Sequence, residues 1–339
     1  MPNLMPMYED LIRTVGGADL LITGEIVYAA RSVVEKTGIK WATTTLAPIS
    51  LFSAYDPPVP PPAIWFEKFR FLGPEFHRFL FSMIGHSMAS WKKEYKDFRR
   101  DLGLSEDNDP IMREKFSDDL HLVMFSKVLG SPQPDWPKSS VQTGFCFYDG
   151  EKNEMPASLK EFLDSGEPPI VFTLGSAAVM DARDFFDESA KAAKMLRRRA
   201  VLLYGSDNQP PKGLDENIVG YEYAPYSQVF PHAACVVHQG GVGTTGQVLR
   251  AGVPHLIMPY GHDQPDNAAR CRRKGVAEIL SRGEYNVERA SRLLSKVLSD
   301  ETYSRKAAEM GEIVRNEHGT SAVCDAIDEV LNASPIHVE

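Results

Sequence analysis

Cysteine is scarce in this 339-residue chain, and the four present, Cys146, Cys235, Cys271 and Cys324, lie far apart. That spacing suits neither a zinc site nor a disulfide framework and fits a reducing cytoplasm. No uninterrupted apolar stretch reaches the roughly 18 residues that span a bilayer. The N-terminus also lacks the basic-then-apolar order of a secretion signal. A cytoplasmic protein, neither secreted nor integral to a membrane, is the expectation. Nor is there a basic patch set apart, because 37 Lys and Arg face 46 Asp and Glu for a net charge of −9. Such a surface repels a phosphate backbone and argues against nucleic-acid binding. The densest cationic run, Lys194, Arg197, Arg198 and Arg199, reads as the solvated C-terminal end of a helix, where cations suit the dipole. Clusters with metal-ligand spacing are lacking too, so no metal is expected.

What is present describes an ordinary globular protein, with 43% apolar and 24% charged residues. The length exceeds one typical core and predicts two domains with a cleft. The segment from Ala18 to Thr23, a helix near Tyr28 to Lys36 and a strand near Lys40 to Leu46 form a βαβ unit. A proline-rich connector, Asp56 to Pro62, follows. From Ala63 to Leu102 the pattern is helical and aromatic, with Trp65, Phe66, Phe69, Phe76, Phe79, Phe81 and Trp91 read as core. The other reading is that some of them line a pocket for an apolar substrate or touch a membrane surface. Proline, glycine and charge between Ser131 and Asn153 place a boundary near 150. The expected domains are 1–150 and 151–332, with a tail at 333–339. Beyond the boundary, strand candidates at 170–174, 200–204, 218–221, 235–238 and 255–258 alternate with helices, the signature of a doubly wound parallel sheet. In such sheets ligands bind outside the carboxyl ends of the strands, so the loops after Leu174, His238 and Pro259 matter most.

The central run is Val236-Val237-His238-Gln239-Gly240-Gly241-Val242-Gly243-Thr244-Thr245-Gly246, a strand ending in a glycine turn that opens a helix. Glycines let the backbone approach phosphate oxygens, and the helix N–H groups and dipole favour an anion. Thr244 and Thr245 add hydroxyl donors, and His238 is placed to donate a further hydrogen bond to a diphosphate. The plain alternative is a tight turn with His238 packed as a neutral imidazole. Gly241 to Gly246 also matches the dinucleotide fingerprint, with Asp263 at the distance of a ribose-binding acid. That fingerprint normally opens its domain on the first strand, whereas several strands precede it here, and a different ligand is expected.

These residues resemble the GT-B nucleotide-sugar-dependent glycosyltransferases, the family of plant secondary-product, sterol and antibiotic glycosyltransferases. The resemblance covers nearly all of 140–330. Its most specific part is Val237 to Thr245, continued by Leu249-Arg250-Ala251-Gly252-Val253-Pro254 and Pro259 to Ala268. It implies an α/β fold of two Rossmann-like doubly wound domains facing a cleft. It also implies a donor site in which His238 and the turn of Gly240, Gly241, Gly243, Thr244 and Thr245 bind the diphosphate. Asp263 and Gln264 would bond sugar hydroxyls, a division that suits the chemistry, since hydroxyls need acceptors as well as donors. Tyr223 falls where relatives stack an aromatic on the base, with Tyr226 beside it, and Ser176 falls at a strand end near the phosphates, where a simple helix cap is the other reading.

Family members open with a strand and glycine turn ending in a base histidine, which this chain does not offer, so the N-terminal domain is expected to be incomplete. The catalytic residue is left unknown, with Glu25 a weak substitute; His77, His86 and His121 read as surface or core residues. The implied reaction transfers a hexose, with inversion, from a UDP- or TDP-linked sugar, a co-substrate rather than a cofactor, to a hydroxyl of a small apolar acceptor. No nucleic acid or transmembrane segment enters, and peripheral membrane contact stays open. Two rivals are an inactive nucleotide-sugar-binding protein and, further off, an NAD-dependent oxidoreductase.

Overall fold

Two parallel β-sheets organise the chain, and each belongs to its own compact unit. The computed structural model describes residues 3–106, 109–112, 114–150, 154–175, 178–206 and 208–333. The first unit comprises residues 1–58, 68–146 and 318–339; the second comprises 59–67 and 147–317.

In the first unit, helix α1 (Leu4–Thr14) leads into β1 (Leu20–Gly24), α2 (Ala30–Thr37) and β2 (Lys40–Thr45), the expected βαβ unit with its first strand starting two residues later and ending one later. A 3-10 stretch at Pro61–Leu72 begins in the second unit's 59–67 segment, and the first unit resumes with its end, α3 (Gly73–Ser87), α4 (Ala89–Asp101), β3 (Leu120–Val123) and β4 (Ser140–Gln142). The strands lie in the order β1-β2-β3-β4, all parallel. His121 is fully buried and ties the sheet laterally, its ring nitrogens meeting Ser140 Oγ at 2.8 Å and Thr45 Oγ1 at 2.9 Å. Burial pushes its pKa down to about 3, so it is neutral at ordinary pH. His77 is likewise buried and bonds the Gly73 carbonyl, while His86 bonds that of Ser82. All three thus make structural contacts, His77 and His86 within α3 and His121 across the sheet.

The aromatic stretch departs from expectation. Of the seven rings expected in the core, only Phe66 is buried; Trp65, Phe69, Phe79 and Trp91 are exposed, and Phe76 and Phe81 are half-buried. For Phe76 and Phe79 the cause is the facing of α3, which turns His77, Phe81 and Gly85, four residues apart, inward and leaves the opposite stripe outside.

The second unit opens with α5 (Ala157–Asp164) and β5 (Ile170–Thr173), followed by α6 (Phe185–Met195), β6 (Ala200–Leu203) and β7 (Ile218–Tyr221). The chain continues through α7 (Tyr226–Val229), β8 (Cys235–His238), α8 (Val242–Ala251) and β9 (His255–Ile257). Then come α9 (Gln264–Lys274), β10 (Ala277–Ile279), α10 (Val287–Ser299) and α11 (Glu301–Arg315). The six parallel strands lie in the order β10-β9-β8-β5-β6-β7, so the winding reverses between β5 and β8. Both faces are filled. Phe172, Leu202, Val237 and Leu256 point to one core, and Val171, Val201, Val236 and Val248 to the other. The alternation along each strand assigns neighbours to opposite faces. The expected cationic run ends α6, but Arg199 is not simply solvated: its guanidinium lies 3.9 Å over the Phe162 ring and donates to the Glu167 carbonyl at 2.9 Å.

The last helix corrects the expected 151–332 domain, because α12 (Gly319–Asn332) rejoins the first unit. Its Ala326 packs with Ala42, Leu120 and Leu122. The Lys40 ammonium caps its C-terminus, donating to the carbonyls of Val330 (2.6 Å), Leu331 (3.1 Å) and Ala333 (2.9 Å). A cation there satisfies carbonyls that the helix leaves unpaired and suits its dipole. At the entry, Gly319 is required by space, since a Cβ would stand 2.2 Å from the Phe145 carbonyl oxygen. Of the expected tail only Ala333 is among the described residues. Among those residues no helix is long and apolar enough to cross a membrane.

Truncating Phe172, fully buried in the centre of the second sheet, to alanine is expected to cost about 3–5 kcal/mol. A shift of the urea unfolding midpoint checks this.

Candidate functional site

The glycine turn after β8 lies beside the point where the second sheet reverses its winding, the place where open α/β sheets bind ligands. Its shape is dictated at Gly240. The residue has φ 91°, and a Cβ there would meet Ile257 Cγ2 at 2.8 Å and the Gln264 carbonyl at 3.2 Å. No side chain fits that position without displacing β9 or the start of α9. Gly243 is different. It is exposed with open space around it, so packing does not require glycine, and the bare backbone lets another molecule approach.

His238 holds the turn from beneath. It is fully buried; its Nδ1 accepts the Gly240 N–H at 3.1 Å, and its Nε2 lies 3.0 Å from His255 Nδ1 on β9. An N–H can be accepted only by an unprotonated Nδ1, which puts the ring proton on Nε2 and directs it to His255. As placed, His238 has no donor left for a phosphate, contrary to expectation. Its role is to fix the glycine turn. Burial without a compensating charge holds its pKa down at about 3 and that of His255 well below 6.5.

The N–H groups at the start of α8 are divided between the protein and open space. Asp263 Oδ2 accepts the first, of Val242, at 3.0 Å, and is itself held by Asn267 Nδ2 at 2.7 Å. The next two, of Gly243 and Thr244, belong to the first turn, where a helix offers no acceptor of its own. They are available to an anion, favoured by the helix dipole. Gln264 is nearly buried and uses its Oε1 to accept the Tyr260 N–H at 2.8 Å and the Gly261 N–H at 3.3 Å. It braces the loop after β9 and can offer only its amide NH2 outward.

A pocket of about 520 Å³ opens at the carboxyl ends of β5, β6 and β7. Tyr223, Tyr226, Thr173, Glu222, Thr244 and Gln247 are among its walls. Tyr223 is 62% exposed in the pocket wall. Tyr226 is anchored, stacked on Phe230 at 4.5 Å with its hydroxyl 2.8 Å from Thr173 Oγ1. Burial raises its pKa, so it remains a neutral phenol. Thr244 lies under the pocket from the first turn of α8, whereas Thr245 turns inward, fully buried with its hydroxyl unpartnered among the described residues. Thr245 is therefore a core residue and not the hydroxyl donor expected.

The fold thus gathers most of the expected residues but gives them different tasks. Tyr223, Tyr226 and Thr244 form pocket wall; Gly240, Gly241, His238, Asp263 and Gln264 build the turn and its brace; Ser176 lies outside the described residues. Glu25, in the first unit, accepts from Ser50 Oγ at 2.5 Å and pairs with the largely buried Lys115 at 3.3 Å. Glu222, Gln247 and His255 were not foreseen. Gln247 was legible, three residues beyond Thr244 and so on the same helix face. His255 was not, because only the pairing of β8 with β9 brings it to His238.

The dinucleotide reading loses its footing here. The fingerprint follows the fourth strand of its unit and not the first.

Both buried histidines are neutral in the fold, while the unfolded chain takes up protons as pH falls through about 6.5. The folded state is therefore fully favoured above pH 6.5 and loses stability as pH drops toward about 3. Melting temperatures measured across that window are expected to fall, and less steeply for His238→Gln, which removes one titrating ring.

Comparison with known proteins fits this geometry. Residues 201–329 match the family described as Erythromycin biosynthesis protein CIII-like, C-terminal domain. O-mycaminosyltylonolide 6-deoxyallosyltransferase of Streptomyces fradiae is 36% identical over 211 residues, covering 62% of this chain and 49% of the relative. A sterol 3-beta-glucosyltransferase of Arabidopsis thaliana is 28% identical over 205 residues, covering 59% and 33%. The chain thus spans half or less of the length of these relatives. The solved glycotransferase of kitacinnamycin superposes with a TM-score of 0.75 at 19% identity, over 97% of this chain and 80% of that one. With its two parallel sheets and its glycine turn, the chain has the GT-B fold, and over residues 201–329 it is similar to the EryCIII-like family and so to antibiotic and sterol glycosyltransferases.

Proposed function

We propose that this protein transfers a hexose from a nucleoside diphosphate sugar, UDP- or TDP-linked, to a hydroxyl of a small apolar acceptor, with inversion at the anomeric carbon. The observation that supports this best is the continuity between the pocket and the start of α8. Tyr223 offers a flat face to a base, Glu222 carboxylate oxygens to ribose hydroxyls, and Thr244 with the Gly243 and Thr244 N–H groups a cradle of donors for the diphosphate. A diphosphate needs donors alone, and those groups are donors. The Gln264 amide NH2 and the remaining oxygen of Asp263 suit the sugar hydroxyls that come next.

In the reaction so read, an acceptor hydroxyl attacks the anomeric carbon from the face opposite the diphosphate as a base takes its proton. The C–O bond to the diphosphate breaks, and the charge growing on the departing oxygens is met by preorganised N–H donors and the dipole of α8. This route needs no metal. The base is unassigned; Glu25 would first have to leave Ser50 and Lys115. The apolar acceptor finds support in the relatives, one named for O-mycaminosyltylonolide and one for sterols. The position of the fingerprint disfavours the oxidoreductase reading.

Calorimetric titration with uridine diphosphate, thymidine diphosphate and NAD separates the readings. One diphosphate is expected to bind and NAD not; NAD binding alone would sink the donor-site reading. Tyr223→Ala should weaken the nucleotide by about 1–3 kcal/mol, the usual value of a base stacked on an aromatic ring. Gln264→Ala should weaken only the sugar-bearing ligand. Turnover, with an inverted product anomer and no loss on chelation of divalent cations, completes the case, while binding without turnover would favour the inactive sugar-nucleotide binder.

A further inference from the structure

Helix α3 presents its apolar side to water. Positions 72, 76, 79 and 83, spaced four, three and four apart, form one stripe: Leu72 is 40% exposed, Phe79 64% and Met83 55%, with Phe76 half-buried between them. The inward positions, 77, 81 and 85, are a histidine, a phenylalanine and a glycine. A surface helix ordinarily does the reverse. The stripe continues into Phe71, 81% exposed before the helix, and Trp91, 56% exposed in the first turn of α4. A row of large exposed apolar side chains on this scale marks an interaction surface.

The charge around the stripe says what covers it. Residues 68–101 carry eight Lys and Arg against four Asp and Glu. Arg70, Arg78, Lys92, Arg99 and Arg100 are ion-paired, with Asp56, Glu75, Asp109, Glu35 and Asp97 among their partners, which leaves lysines as the cations open to a surface. Lys68, before α3, and Lys93, in α4, are exposed in the segments that flank the apolar row, and Arg78, next to Phe79 in sequence, is exposed and paired with Glu75. From these observations we infer that the α3–α4 hairpin docks flat on an anionic lipid surface, its Phe, Met and Trp side chains entering the interfacial layer and its cations meeting the headgroups. Apolar residues on one face with Lys and Arg at its border are what an interfacial helix requires, and tryptophan favours that layer. A second copy of the chain is the weaker occupant, because a two-fold contact would set one cationic face against another. A small soluble acceptor is weaker too, since such ligands are taken in concave sites and this stripe is an exposed helix face. The inference stands independently of the transferase reading.

The test is co-sedimentation of the full chain with phosphatidylcholine vesicles, and with vesicles in which part of the phosphatidylcholine is replaced by phosphatidylglycerol. Binding is expected only to the anionic vesicles and is expected to weaken with salt. Phe79→Asp combined with Met83→Asp should reduce it by about tenfold or more. Lys93→Glu should reduce it several-fold, an effect that added salt removes. All these positions are exposed, and an unchanged melting temperature shows that the variants fold. Failure to bind anionic vesicles overturns the inference, as does binding that the double variant leaves intact. It is equally overturned if the chain ignores vesicles and instead forms a dimer that the double variant abolishes, or loses only the binding of a soluble acceptor.

Discussion

The close approach of β8, β9 and the start of α9 at Gly240 is the constraint on which the candidate site depends. Because a side chain there would collide with Ile257 and the Gln264 carbonyl, the backbone turns sharply enough for its next N–H groups to point away from the sheet. His238 fastens the turn from below and Asp263 from the side, so two hydrogen bonds and one steric limit fix where α8 begins. A ligand meets donors already aimed. Preorganisation of this kind is what makes a dipole effective in a reaction, because nothing has to reorient as charge develops.

The same arrangement explains what was legible in the sequence. The alternation of apolar runs and helices, and the glycine turn at the end of a strand, are local signals, and they gave the parallel sheets and the strand-turn-helix order at β8 and α8. The allocation of tasks was not local. Whether a histidine after a strand faces a ligand or a neighbour depends on what the adjacent strand carries, and His255 lies seventeen residues away, beyond α8. Thr244 and Thr245 look alike in sequence, but on a helix one residue is a turn of about 100°, enough to send one to the pocket and the other to the core.

The aromatic stretch failed for a related reason. Composition records how many apolar residues a helix has and periodicity records that they share a face, yet neither says which way the face turns. His77, Phe81 and Gly85 share a spacing as good as that of Leu72, Phe76, Phe79 and Met83. The bond from the His77 ring to the Gly73 carbonyl lies within α3 and is compatible with either facing, so the facing is a property of the partners packed around the helix.

The return of α12 to the first unit bears on the order in which the molecule can be completed during synthesis. Residues 147–317 emerge as one uninterrupted run, apart from the short 59–67 segment already made, so the second unit has all its strands before the chain ends. The first unit, begun earlier, must wait for Ala326 to cover Ala42, Leu120 and Leu122 and for Lys40 to find the carbonyls it caps. Until then one face of the first sheet lies bare. The unit that starts first is therefore the last to close, and it is the one that needs protection while the ribosome is still at work.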